Sequence, residues 1–185
     1  MKIAIIGWGS LVWDPRQLPF KEKTCAWHPD GPRFKIEFSR VSRDSRLTLV
    51  LDPEHGTELP TLYVTSTRSE LADAVADVRD REGTVLRHIG FVSTEGARSP
   101  HDGAAAIHDI VLSWLKDARY DAAVWTALPS NYKDELKHDF SVEHATEYLK
   151  GLPEIVRKVA LDYIRKAPGQ INTSLRIHLQ KERIL

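Results

Sequence analysis

Met1-Lys2-Ile3-Ala4-Ile5-Ile6-Gly7-Trp8-Gly9-Ser10-Leu11-Val12-Trp13 sets a short apolar run against a glycine pair and a serine at the start of the chain. Apart from Ala4, residues 3–6 are all isoleucine, so they predict a buried strand. Gly7 and Gly9 bracket Trp8 in the turn that follows. Two such glycines allow left-handed backbone and close approach of a ligand to the main chain, where successive N–H groups form a concave anion site. Ser10 adds a hydroxyl. An ordinary strand-to-turn corner is the plainer use of the same residues. A dinucleotide fingerprint is excluded: Val12 stands where the third glycine belongs, and Asp14-Pro15 with Pro19 leaves no room for a long phosphate-binding helix.

Working outward, residues 14–31 are rich in proline and charge and read as an irregular connection. Phe34, Ile36 and Phe38 alternate with Lys35 and Glu37, and Leu47, Leu49 and Leu51 alternate with Thr48 and Val50, giving two half-buried strands. Residues 54–59 read as a turn and 61–65 as a further strand. Thr67 and Glu70 are spaced as a capping box for a helix over 68–82, which Gly83 stops. Residues 85–92 are strand-like. Asp102 is placed to cap a helix reaching about Ala118, and 122–127 read as a buried strand. Ser141 caps a short helix ended by Gly151, Pro153 opens the next, and Pro168-Gly169 ends it. Ile171, Thr173, Leu175, Ile177 and Leu179 alternate as a closing strand. Strands early and late with helices between them argue for an α+β fold rather than a doubly wound sheet.

The chain has 185 residues, 42% of them hydrophobic, enough for one globular domain over 1–185 with a helical C-terminal portion at about 141–168. Lysine plus arginine equals aspartate plus glutamate at 26 each, so no global field favours nucleic acid or an anionic membrane. A small neutral or zwitterionic ligand is the more natural partner. Cys25 is the single cysteine, and no apolar run nears the roughly 20 residues that span a bilayer. A cytoplasmic protein without a signal peptide is expected.

Glu82 is the foremost candidate for chemistry. Leu71, Val75 and Val78 share one face of the 68–82 helix, and Glu82 falls on the continuation of that stripe. Burial and the negative end of the helix dipole would both favour the neutral acid, unless Arg79, Arg81 or Arg87 lies close enough to oppose them. The plainer alternative is a frayed last turn with Glu82 in water.

The stretch IIGWGSLVWDP resembles the N-terminal signature of the γ-glutamylcyclotransferase-like proteins, above all the ChaC-type branch, in which an aromatic-Gly-Ser-Leu-aliphatic-Trp motif follows the first strand. RLTLVLDP at residues 46–53 and DVRDREG at 77–83 resemble two further motifs of that branch, in the same order. The resemblance implies a small mixed β-barrel flanked by helices, with the pocket at one end of the barrel. It implies Glu82 as catalytic acid/base, and Gly7, Trp8, Gly9, Ser10 and Leu11 as the substrate-binding cradle. The implied reaction releases 5-oxoproline: the α-amine of a γ-glutamyl group attacks its own γ-carbonyl and expels an amine. It needs no cofactor and no metal. The chain departs from the branch at Trp8, where tyrosine is usual, and after Glu82, where Gly83-Thr84-Val85-Leu86 replaces Lys-Gly-Gly-Tyr. The lost tyrosine bears on glutathione as substrate.

Two other functions stay open: a non-catalytic module binding a small carboxylate or a protein, and a related acyl transfer to another amine. Arg40, Arg43 and Arg46 suit a substrate carboxylate or a solvated strand edge. Cys25 and His28 are two possible metal ligands that nothing nearby in the sequence completes, so a solvent-facing loop is expected there, and His101 with His108 and His138 with His144 lack metal-ligand spacing. Asp44 and Ser45 suggest no triad without a histidine, and Trp114 and Trp125 read as core.

Overall fold

The computed structural model describes residues 1–21, 27–100 and 104–185. In chain order the elements are β1 (Ile3–Gly7), α1 (Ser10–Trp13), β2 (Arg33–Val41), β3 (Leu47–Leu51), β4 (Thr57–Pro60), β5 (Leu62–Thr65), α2 (Leu71–Glu82), a 3₁₀ turn (Leu86–His88), β6 (Ile89–Ser93), α3 (Ala104–Ala118), β7 (Ala122–Thr126), α4 (Tyr132–Leu136), α5 (Val142–Gly151), α6 (Glu154–Lys166) and α7 (Ser174–Lys181). The class is mixed α+β. The strands form a four-stranded sheet and a three-stranded sheet, and neither closes into a barrel among the described residues. No described helix is long and apolar enough to cross a membrane. By its internal contacts the chain divides into two compact units.

The first unit comprises residues 1–7, 14–33 and 60–128. Its sheet has the order β5-β1-β7-β6, with β1 antiparallel to β5 and parallel to β7, and β7 antiparallel to β6. Paired on both sides, β1 has all five residues buried, which is why it reads as an unbroken apolar run. Thr126 of β7 bonds Glu82 at the end of α2, whereas its neighbour Trp125 meets His108 of α3 with ring centroids 6.0 Å apart. Successive strand residues point to opposite faces, so α2 and α3 cover opposite faces of this sheet. Trp125 lies across Gly90, its register partner on β6.

The second unit comprises residues 8–13, 34–59 and 129–185. Its sheet, β3-β2-β4, keeps only the end residues Arg33 and Pro60 outside it. The β2–β3 register shifts between Glu37 and Arg40. Ser141 caps α5 as expected, accepting from the His144 N–H at 3.1 Å.

Several sequence expectations need correction. The 67–70 capping box does not form: α2 starts at Leu71 without a side-chain cap, and Arg68 pairs with Asp77 at 2.7 Å instead. Residues 85–92 begin as a 3₁₀ turn in which the Thr84 hydroxyl meets His88 Nδ1 at 2.9 Å, and the strand starts only at Ile89. Residues 57–60 are a short strand, 132–136 a short helix, and Pro153 is the residue before α6. The closing strand is a helix: Thr173 caps α7 by accepting from the Arg176 N–H at 3.4 Å. Leu175 and Leu179, four apart, are its fully buried residues, and helical packing outweighs the alternation. The expected cap at Asp102, and with it Cys25 and His101, lies outside the described residues.

Candidate active site

Glu82 is the last residue of α2, which Gly83 closes in the left-handed conformation at φ 61°, its N–H bonding to the carbonyls of Arg79 and Asp80. The buried stripe of the helix is Ala74, Val75, Val78 and Arg81, and Glu82 stands half-buried at its edge. The opposing cation foreseen among three arginines is Arg81. Its Nη1 donates to Glu82 Oε1 at 2.8 Å, with side-chain exposures of 4% for Arg81 and 15% for Glu82. Arg81 is anchored in turn on the main chain: Nε and Nη2 donate to the Asp14 carbonyl at 3.1 and 2.5 Å. Arg16 Nη1 donates to the Arg81 carbonyl at 3.0 Å.

The second donor to Glu82 Oε1 is the Thr126 hydroxyl, at 3.1 Å. Both hydrogen bonds that the Glu82 carboxylate receives from described side chains fall on Oε1. Thr126 ends β7. Because Ile6 pairs with Trp125 in parallel register, the next residues, Gly7 and Thr126, end their strands side by side. Glu82 therefore sits at the carboxyl end of the parallel pair β1–β7, the end at which open sheets with parallel strands present ligands.

Gly7 belongs to this first unit, whereas Trp8, Gly9, Ser10 and Leu11 belong to the second. There the chain winds a single turn, with the Val12 N–H bonded to the Gly9 carbonyl at 2.9 Å. Trp8 is 4% exposed and meets Phe34 edge-on at 5.6 Å, so its ring is part of that unit's core. Leu11 is also buried. Gly9 does not adopt positive φ. A Cβ there would lie 3.5 Å from Tyr163 Oη and 3.7 Å from Leu49 Cβ, ordinary contacts, so packing does not demand a glycine. Trp13 stands edge-on to Tyr163 at 5.2 Å, and the Arg46 guanidinium lies 5.0 Å from the Tyr163 ring centre.

The weaker candidates have structural partners. Arg40 donates to the Pro129 carbonyl at 2.6 Å, Arg46 pairs with Asp44 at 2.8 Å, and Arg43 is exposed. His108 Nε2 meets the buried Ser99 hydroxyl at 3.0 Å, and the His138 and His144 rings lie tilted to each other with centroids 4.2 Å apart. No three described His, Cys, Asp or Glu side chains converge in a metal-binding arrangement.

Sequence reasoning missed Glu37. Alternation assigned it to the outer face of β2, yet it is fully buried. Its Oε1 accepts from the Phe38 N–H at 2.8 Å and its Oε2 from the Leu175 N–H at 3.4 Å. Burial pushes its carboxyl from 4.5 up to about 7, against the lowering effect of hydrogen bonds from Thr173, Phe38, Leu175 and Ser174. Only the docking of the start of α7 on β2 makes this residue special, and no local signal announces it. Thr126 was likewise hidden, because its role comes from the register of β7 against β1. No family description, curated protein or solved structure matches the chain.

Proposed function

We propose that this chain is a cofactor-independent γ-glutamylcyclotransferase-like enzyme that releases 5-oxoproline from a γ-glutamyl amine or peptide. The observation that carries this is the placing of Glu82: one carboxylate oxygen held by Arg81 and Thr126, the other without a hydrogen bond from the described residues, at the carboxyl end of the β1–β7 pair. That is the arrangement an acid/base group needs, since it must hold one orientation while exchanging a proton.

In the reaction Glu82 takes a proton from the substrate's α-ammonium. The freed amine attacks the γ-carbonyl carbon, the new C–N bond closes a five-membered lactam, and the old C–N bond breaks. Glu82 returns its proton to the departing nitrogen, and the second proton shed by the lactam nitrogen leaves with the expelled amine as its ammonium, so charge balances and the enzyme ends unchanged. Both reacting atoms lie on one substrate, so holding it folded supplies much of the acceleration. The turn of Gly7, Trp8, Gly9, Ser10 and Leu11 is taken as the substrate-binding segment, because its main-chain N–H groups are of the kind that hold a small carboxylate. The proposal extends to the small barrel fold of the family.

A panel of γ-glutamyl amino acids and amines, assayed for 5-oxoproline, tests the activity. Release from at least one donor is expected. Absence of product from every donor, with a folded protein, contradicts it.

A further inference from the structure

After Glu82 the chain leaves α2 and comes back to the same place. Gly83 turns it out of the helix, and the Thr84 N–H closes on the Arg79 carbonyl at 3.2 Å. The Thr84 hydroxyl meets His88 Nδ1 at 2.9 Å. The His88 N–H donates to the Val85 carbonyl at 2.9 Å, and the His88 carbonyl accepts from the Ala127 N–H at 2.7 Å. Ile89 then pairs with Thr126, whose hydroxyl donates to Glu82 Oε1 at 3.1 Å. Residues 83–88 therefore form an arch with both feet at the candidate acid/base, one at Glu82 itself and the other at Ile89 beside Thr126. All of it lies within the first unit.

Val85 and Leu86 stand on this arch, 50% and 54% exposed, the most exposed of the large apolar side chains described in that unit. Neither can lie far from the site. Three residues of fully extended chain separate the Val85 backbone from that of Glu82 by at most about 10 Å. Three residues of 3₁₀ helix place Leu86 about 6 Å from Ile89. One exposed apolar residue is ordinary, but two in succession, on a segment fastened at both ends next to a proton-transfer group, form a surface that a ligand can cover. The arch carries no carboxylate, Arg87 on it is exposed, and His88 is engaged by Thr84. A cationic group finds no partner there.

The reaction fixes which part of a substrate comes here. To give its proton to the departing nitrogen, Glu82 must lie within about 3 Å of that nitrogen. The carbons borne by the nitrogen then occupy the first several ångströms beyond Glu82, the distance over which the arch extends. Resting on Glu82 as the acid/base of the 5-oxoproline reaction, we propose that Val85 and Leu86 select the amine half of the substrate, and that this half is apolar. The substrate class is the γ-glutamyl derivative of a branched or aromatic apolar amino acid or amine.

Rates of 5-oxoproline release from γ-glutamyl-leucine, γ-glutamyl-glycine and γ-glutamyl-lysine test this. kcat/KM for the leucine donor should exceed that for the glycine donor about tenfold or more, the discrimination available from covering one aliphatic side chain. The lysine donor should not exceed the glycine donor. Leu86→Ser together with Val85→Ser changes only exposed side chains, so the protein should fold with a Tm close to native. The leucine-to-glycine ratio should then fall to within about twofold of one, through a higher KM for the leucine donor. Equal use of the leucine and glycine donors, preference for the lysine donor, or a ratio that survives the double substitution would each overturn the proposal. So would a dimer of the native protein that the double substitution dissociates, since a second copy would then cover the two residues. If no donor releases 5-oxoproline, the reaction is wrong and binding decides the arch by itself. Calorimetric titration of the Glu82→Gln protein should show the leucine donor bound about fivefold tighter or more than the glycine donor, a difference lost with Val85 and Leu86. Equal affinities, or no binding of either donor, would overturn the proposal.

Discussion

Arg81 donates to Glu82 Oε1 at 2.8 Å while its other nitrogens hold the Asp14 carbonyl, so one buried guanidinium both aims the carboxylate and fastens the chain at residue 14 to α2. Lysine has the charge but not the fork that serves two acceptors at once.

Replacing Arg81 should therefore be felt in stability as well as in activity. Arg81→Ala takes the guanidinium from the Asp14 carbonyl and leaves the half-buried Glu82 carboxylate with Thr126 alone of its two described donors, a loss of about 2–3 kcal/mol. Arg81→Lys should fall between alanine and the native residue. Urea denaturation of the three proteins is the measurement, and an alanine variant as stable as the native protein contradicts this account of Arg81.

Gly9 separates packing from ligand approach. A Cβ there meets Tyr163 Oη and Leu49 Cβ only at ordinary contact distance, and the backbone is not left-handed. Gly9→Ala should change stability by no more than about 0.5 kcal/mol. It should nevertheless raise KM for a γ-glutamyl donor about tenfold, because a methyl group keeps the substrate off the main chain. An unchanged KM would remove the turn from substrate binding.

Glu37 gives the protein a pH-dependent stability of unusual sign for a carboxylate. Its carboxyl holds a proton up to about 7 when folded, against 4.5 ordinarily. The contribution is full below about pH 4.5 and is lost as pH rises to about 7, a change on the order of 3 kcal/mol. Glu37→Gln keeps the shape without the titration, so it should gain on the native protein between pH 5 and pH 8 by roughly that amount. Parallel pH dependence of the two unfolding free energies would rule this out.

Gly90 is required by its neighbour. A Cβ at that position would fall inside the indole of Trp125, itself fully buried and unable to yield. Gly90→Ala should lower stability by about 3 kcal/mol or more, visible as a fall in Tm. A variant with native Tm would show that the β6–β7 contact is looser than described.

Much of this was legible in the chain, for local reasons. The isoleucines of residues 3–6 announce β1 because a strand paired on both sides has no polar face. Gly83 announces the end of α2, and so the place of Glu82, because it alone takes the left-handed cap cheaply. What escaped depends on non-local arrivals. The alternation over residues 171–179 conceals Leu175 and Leu179 at helical spacing, and the N-cap at Thr173 decides between the two patterns. Glu37 looks solvent-facing until α7 docks on β2, and Thr126 is an unremarkable strand end until register sets it beside Gly7 and under Glu82.

The rate of 5-oxoproline release by Glu82→Gln, compared with the native protein at matched Tm, tests Glu82 most directly. Glutamine keeps an oxygen for Arg81 and Thr126 but cannot shuttle a proton, so the rate should fall about 10²–10⁴-fold. A variant turning over the same donor at the native rate would contradict the role assigned to Glu82.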